Sequence, residues 1–284
     1  MFAAAPIADA IRETARGFEF DRYLAALLAP AAARGDLAAV AAFSGELVRV
    51  RDTVTNPMIG EIRLQWWRDA LQQVARGDVI GHPVADALGA TIRRHSLPLA
   101  LLEDVIDARS RDIARQPPAD DAELATYLFQ SEGALFEAAL IILGVPTGSR
   151  AREAARPAGQ TYGLARLLGG LPQALARGYL PLPVSRLEAA GIPAAALELV
   201  RVNPDLPDLV RGLRQEARQA LIEAREQTAR LGRLAVPAFL PLVMVEPYLQ
   251  GQEQTGADLS TPAMEIAPIR RVWRFWRAKR RGQV

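Results

Sequence analysis

Twenty prolines and 21 glycines punctuate this chain of 284 residues, and their spacing constrains the fold more than any other feature. They cut it into stretches of roughly ten to twenty-five residues, the length range of helices. Between the breaks, apolar residues recur at three- and four-residue intervals. In the stretch 60–76, Ile62, Trp66 and Ala70 line one stripe, while Leu64, Trp67 and Leu71 line the next. Glu61, Gln65 and Arg68 are left to a polar side. Alternating runs of the strand kind are nearly absent. The pattern predicts helices over 7–28, 33–53, 60–76, 84–95, 98–115, 121–143, 150–171, 193–201, 205–232, 236–250 and 263–280. Asp120-Asp121-Ala122-Glu123 reads as a helix start, an Asp cap with Glu three residues on. Ile142-Leu143-Gly144-Val145-Pro146 reads as a stop. The fold class is all-α.

Half of the residues are hydrophobic, enough for a sizeable core. No linker or low-complexity run interrupts the chain, which is read as a single domain, 1–284. The absence of cysteine excludes disulfides, thiolate zinc sites and a cysteine nucleophile. The two histidines, His82 and His95, stand thirteen residues apart and make no metal cluster. His82 is read as a loop residue before Pro83, and His95 as the support of a helix C-terminus. A metal here would have to be a hard cation held by carboxylates, magnesium first. The N-terminus lacks a basic segment followed by an apolar one, and the apolar run 134–145 is too short to span a bilayer and contains Glu137. These features predict a soluble, cytoplasmic chain.

The net charge of +2 conceals an asymmetry. Seven basic and no acidic residues lie in 270–284, which leaves 27 basic against 32 acidic residues elsewhere. The body is therefore acidic, which argues against a nucleic-acid partner. The C-terminal run is basic and aromatic together: Arg270, Arg271, Trp273, Arg274, Phe275, Trp276 and Arg277 are candidates for contact with an anionic membrane surface. Val272, Phe275 and Trp276 share a helical stripe in this reading. A terminal helix that docks its aromatics into the bundle and leaves its arginines solvated is the other reading, and the two are compatible.

Ala42-Phe43, Glu46-Leu47, Asp52, Pro57, Gly60, Ile62-Arg63 and Gln65-Trp66-Trp67 form an ordered pattern that no amphipathic helix requires. It resembles the squalene/phytoene synthase family, and more closely the non-carotenoid branch that includes the assembly factor of mitochondrial respiratory complex I. Leu27-Leu28, Pro30 and Arg34, with Tyr179-Leu180-Pro181 and Gly191, extend the resemblance, which runs weakly from Asp21 to the C-terminus. It implies an isoprenoid-synthase helical bundle around a central cavity.

Synthases of this family hold two diphosphates with magnesium ions bound by two aspartate-rich helices, because carboxylates at i, i+3 or i+4 share a helical face. Placed on the Ala42-Phe43 landmark, the first motif falls on 48–52, where Asp52 alone is acidic, beside Arg49 and Arg51. Glu46 is six residues earlier, about 240° round the helix, so Asp52 is expected in an ion pair. The second motif falls within 159–181, where no acidic residue occurs between Glu153 and Glu188. Asp112 resembles an aspartate on another cavity helix, although Asp104, Asp107 and Asp112 also read as an exposed acidic face balanced by Arg109 and Arg111. The candidate ligand or partner residues are Arg34, Glu46, Arg49, Asp52, Arg63, Gln65, Trp66, Asp112, Tyr162 and Arg166. No catalytic residue, resident metal or cofactor is expected. The resemblance implies a non-catalytic assembly factor near the membrane, with respiratory complex I subunits or assembly proteins as partners. The alternatives are a prenyl-diphosphate transferase with a displaced magnesium site, and a carrier that holds an isoprenoid lipid without reacting it.

Overall fold

The computed structural model describes residues 8–54, 56–146, 149–192, 205–254 and 259–284. Among these, every regular element is helical. In chain order they are α1 (Asp9–Phe18), α2 (Phe20–Leu28), α3 (Arg34–Thr53), α4 (Pro57–Arg76), α5 (Pro83–His95), α6 (Leu99–Ala114), α7 (Asp121–Leu128) and α8 (Ala134–Ile142). They continue with α9 (Ser149–Gly169), α10 (Leu171–Ala176), α11 (Val184–Ala189), α12 (Leu206–Leu231), α13 (Val236–Phe239), α14 (Val245–Gln254) and α15 (Pro268–Arg281). One apolar cluster joins residues from Ile11 to Leu249. A second, smaller one sits between α2, the segment 236–244 and α15.

Local signals set most helix ends, although α4 starts at Pro57, three residues before the expected 60, and runs through Gly60. Asn56 accepts a hydrogen bond from the Met58 N–H, Pro57 opens α4, and Gly77 closes it at φ 105°. Asp120 caps α7 by accepting from the Glu123 N–H. After α8, Gly144 takes φ 70° and Val145 donates back to the Leu140 carbonyl, so the chain stops there. His82 is more than a loop residue: its ring nitrogen accepts from Ala85 N–H and caps α5. His95 does sit in the last turn of α5, where its Nε2 lies 2.8 Å from Asp36 of α3.

Three departures shape the interior. The helix expected over 7–28 breaks at Glu19 (φ −134°, ψ 52°) into α1 and α2, which turns the Glu19 carboxylate into the core. The helix expected over 121–143 contains a π turn at Phe129–Gly133, and the extra residue in that turn re-aims Glu132 inward. The helix expected over 236–250 is interrupted by a 3₁₀ segment, Leu240–Met244, where Pro241 cannot continue an α ladder. The last helix starts at Pro268 rather than 263, α10 and α11 were not expected, and the predicted helix 193–201 lies outside the described residues.

Packing of α9 on the π turn is unusually close. A Cβ added to Gly159 would lie 2.6 Å from the Gly133 Cα and N, and one on Gly163 would lie 2.7 Å from Leu128 Cδ2. Backbone meets backbone here, and Arg166, further along α9, is carried against Glu132. Thr161, on the other side of α9, donates 2.7 Å to the Ala217 carbonyl of α12. Gly159→Ala is expected to lower unfolding stability by about 1–3 kcal/mol, because no flexible side chain is present to give way. Gly212→Ala, in α12 with nothing within 4 Å of its added Cβ, should be neutral or stabilising by up to about 1 kcal/mol. Urea midpoints of the two variants would test this, and equal values would contradict the close approach.

Candidate functional site

Where α2, the π turn, α6 and α9 converge, their charged side chains turn toward one another. Glu132 is 3% exposed and faces three guanidiniums. Arg22 Nη2 lies 2.5 Å from its Oε2, Arg166 Nη1 3.4 Å from its Oε1, and Arg109 Nη2 3.6 Å from the same oxygen. Arg166 also donates 2.9 Å to each oxygen of Glu19, which accepts from Ser44 Oγ as well. Arg109 donates to Asp112 at 2.9 Å, Tyr127 donates to the other Asp112 oxygen at 2.7 Å, and Arg51 approaches Asp112 at 3.9 Å. The Arg22 guanidinium lies 4.8 Å from the Phe136 ring centre and 5.4 Å from that of Tyr162, so aromatic faces cover the part of the cation that carboxylates leave free.

Burial and pairing set the protonation states. Burial alone would raise the Glu132 pKa, but Arg166, Arg22 and Arg109 hold it below the ordinary glutamate value. Burial would likewise lower the arginines, yet Asp112 and Glu132 keep Arg109 up, and Glu132 and Glu19 keep Arg166 up. The cluster is a set of charges that hold one another ionised in the dry interior.

A cavity of about 560 Å³ adjoins it, between the α1–α2 break, α9, α14 and the segment 262–271. Asp21 lies in its wall and is 3% exposed. Tyr162 and Tyr248 both donate to its Oδ2, at 3.0 and 2.5 Å, and Arg271 Nη1 lies 3.5 Å from Oδ1. Burial outweighs these partners and raises the Asp21 pKa. Among the described residues, no three His, Asp or Glu side chains converge as ligands of a metal would. Glu19 and Asp21 at the cavity are bonded to guanidiniums and hydroxyls instead. A magnesium–diphosphate complex does not fit this donor set.

The frame that surrounds this cluster has known counterparts. The family profile described as squalene/phytoene synthase matches residues 15–277. The chain belongs to the squalene/phytoene synthase family. Complex I assembly factor 6, "NADH dehydrogenase (ubiquinone) complex I, assembly factor 6", of Rattus norvegicus is 29% identical over 273 residues, 94% of this chain and 81% of that protein. The Homo sapiens protein of the same name is 27% identical, over 93% of this chain and 80% of its own. A dehydrosqualene synthase crystal structure superposes with a TM-score of 0.77 at 16% identity, covering 95% of this chain and 94% of that one. Squalene synthase HpnC from Alicyclobacillus acidocaldarius gives 0.74 at 20%, covering 87% and 93%. At those identities the solved structures establish the shared helical fold, which is the isoprenoid-synthase bundle expected from the sequence.

Within this family frame the two motif regions hold arginine pairs. Asp52 bonds to Arg51 at 3.0 Å and to Arg177 of the segment after α10 at 3.4 Å, the ion pair the sequence predicts. Glu46 points elsewhere, accepting from Arg49 at 2.7 Å and from Thr14 of α1 at 3.3 Å, so it does not join Asp52. Asp112 and Arg166 do come together through Arg109 and Glu132, and Tyr162 lies beside them with its ring centre 5.7 Å from the Arg166 guanidinium and its hydroxyl on Asp21. Asp112 and Arg109 correct the exposed-face reading: both turn inward, with side chains 11% and 3% exposed, while Asp107 is exposed and pairs with Arg68. Arg34 closes the turn before α3 by donating to the Ala29 carbonyl at 3.0 Å. Arg63, Gln65 and Trp66 lie on the exposed side of α4, where Gln65 donates to Asp69 and Trp66 meets the edges of Trp67 and His82.

The terminal helix requires two corrections. Phe275 is fully buried among Leu24, Val236, Leu240 and Met244, so it cannot meet a membrane. Arg271 turns inward to Asp21 and the Ile266 carbonyl. Arg270, Trp273, Arg274, Trp276 and Arg277 are exposed, as expected.

Glu19, Asp21, Arg22, Arg51, Glu132 and Tyr248 were missed as site residues. One signal was available: Glu132 is a lone charge among Phe129, Leu135 and Phe136, where an unpaired carboxylate would be untenable. The partners reach it from up to 110 residues away, and no local pattern encodes that.

Glu132→Gln is expected to cost about 3–5 kcal/mol near neutral pH, since it leaves buried cations short of a counter-charge. Because the native pKa of Glu132 is depressed, its contribution is present above the ordinary value of 4.5 and is lost as pH falls below it. Urea titrations should therefore show the gap between the native chain and this variant closing in acid. A gap independent of pH would mean that Glu132 is not ionised in the folded protein.

Proposed function

We propose that this chain is an assembly factor for the respiratory NADH dehydrogenase, acting by contact and not by prenyl chemistry. The observation that carries the reading is the cluster itself: arginine–carboxylate pairs fill the interior where a prenyl synthase must hold metal-bound diphosphate. Relatives named as complex I assembly factors, aligned over nearly the whole chain, support the partner. The chain works from the cytoplasmic side, peripheral to the membrane, with subunits or assembly proteins of complex I as partners. Among the described residues no helix is long and apolar enough to cross a bilayer, which agrees with a peripheral position.

The cavity favours one second reading, an isoprenoid lipid held without reaction. Its wall combines Phe18, Phe20, Met264 and Ile266 with the polar groups around Asp21, a mixture suited to an amphipathic guest. Prenyl transfer has no comparable support.

The test has two arms. Deletion in the source cell should reduce assembled, active NADH dehydrogenase and leave isoprenoid products unchanged. Purified chain incubated with farnesyl or geranylgeranyl diphosphate should release no pyrophosphate, with or without magnesium. Magnesium-dependent release would overturn the non-catalytic reading, and normal complex I in the deletion strain would overturn the assembly role. Polyprenyl or quinone-like lipid that co-purifies with the chain would establish the carrier.

A further inference from the structure

We infer that α15 is a preformed docking surface for an anionic bilayer, and that it binds with its axis along the membrane plane. The inference deepens the peripheral placement just proposed and rests on that reading for its biological setting alone.

Three observations define the surface. First, the inward side of α15 is already satisfied. Phe275 and Ala278 pack in the cluster with Leu24, Ala25, Leu240 and Met244, and Arg271 pairs with Asp21. The helix is thus held on the body and its other face is turned outward. Second, that outward face is divided. At about 100° per residue, Val272, Trp276, Ile269 and Trp273 fall together on one half, and they are 42%, 46%, 73% and 53% exposed. Arg277, Arg270, Arg281 and Arg274 fall on the other half, while Arg280 falls within the apolar half, between Ile269 and Trp273. Third, the arginines are uncompensated. The helix contains no acidic residue. Among the described residues, Arg270, Arg274, Arg277, Arg280 and Arg281 make no ion pair. Two of them lie over the tryptophans instead: Arg277 over Trp273 at 5.1 Å and Arg280 over Trp276 at 4.9 Å.

A bilayer interface fits each half by its own chemistry. Indole rings favour the boundary between headgroups and acyl chains, where an apolar body and a polar N–H are both accommodated. Arginine stems lie along apolar surface while their guanidiniums reach outward to lipid phosphates. The acidic charge of the body, 32 acidic against 27 basic residues outside 270–284, would be repelled by the same surface. Repulsion on one side and attraction on the other orient the molecule with α15 downward. Because the helix is already folded on the body, no ordering cost has to be met on binding, unlike that of a disordered basic tail. A nucleic acid would use the arginine half and leave two exposed tryptophans and Ile269 without a role. A second copy of the chain would bring five uncompensated arginines against five more.

The test uses the full chain and sedimentation with vesicles. Binding is expected to vesicles of phosphatidylcholine that contain phosphatidylglycerol, not to phosphatidylcholine alone, and to weaken as salt rises. Replacing Arg270, Arg274 and Arg277 by Gln should lower the partition coefficient about fivefold per arginine at low salt. Trp273→Ser with Trp276→Ser should abolish retention at moderate salt and remove a blue shift of tryptophan emission. All five side chains are exposed, so circular dichroism of the variants should match the native chain. Lack of binding to the anionic vesicles overturns the inference. So does binding that ignores lipid charge, or a self-association or nucleic-acid complex that the same variants abolish while vesicle binding persists. The assay contains no respiratory complex. Failure here would leave the assembly role standing, while normal complex I in the deletion strain would leave the docking surface standing.

Discussion

Glu132 is a carboxylate with almost no contact with water, and the remainder of the interior is arranged around that fact. Taking one such ion from water into a dry interior costs on the order of 20 kcal/mol in the idealised limit. The cost is tolerable only when opposite charge is held at hydrogen-bond distance from several sides. Arg22 comes from α2, Arg109 from α6 and Arg166 from α9. Each of those cations in turn needs more than one carboxylate, which draws in Glu19 and Asp112. The cluster therefore ties four parts of the chain to one another, and none of its members can be removed without stranding another.

This arrangement gives the family frame an interior in which carboxylates and guanidiniums hold one another. In a prenyl synthase the interior polar groups must stay available to ligand and metal. Here most of them are engaged by partners within the protein, and the Phe136 and Tyr162 rings lie against the Arg22 guanidinium. Mutual pairing holds these side chains in one geometry beside the cavity. The surface then becomes the natural place for function, and it is there that α4 exposes Met58, Ile62 and Trp66, and α15 exposes its tryptophans and arginines.

Much of this was legible in the residues. The helices α3 to α6, and the Asp120 cap of α7, follow from period and punctuation. The Asp52 ion pair followed from two arginines and one acid in a five-residue window. The Glu46 displacement followed from helical angle alone. Three features were not legible. The break at Glu19 has no proline and only Gly17 near it, and the partner that holds the turned Glu19 is Arg166, 147 residues away. The π turn at Phe129–Gly133 reads as ordinary helix, because a single extra residue does not alter composition. Phe275 and Arg271 were assigned to the outward face because the wheel has no fixed zero until something packs against the helix.

The sequence by itself determined the class of the fold, the positions where most helices start and stop, and the loss of two aspartate-rich motifs. These depend on local backbone preference and on residues that are simply present or absent. Tertiary structure decided which charges are buried, which carboxylate each arginine holds, and which face of α15 remains free. Those outcomes depend on distances between segments more than a hundred residues apart, and the close approach of Gly159 to Gly133 is what brings the deciding pair, Arg166 and Glu132, within reach.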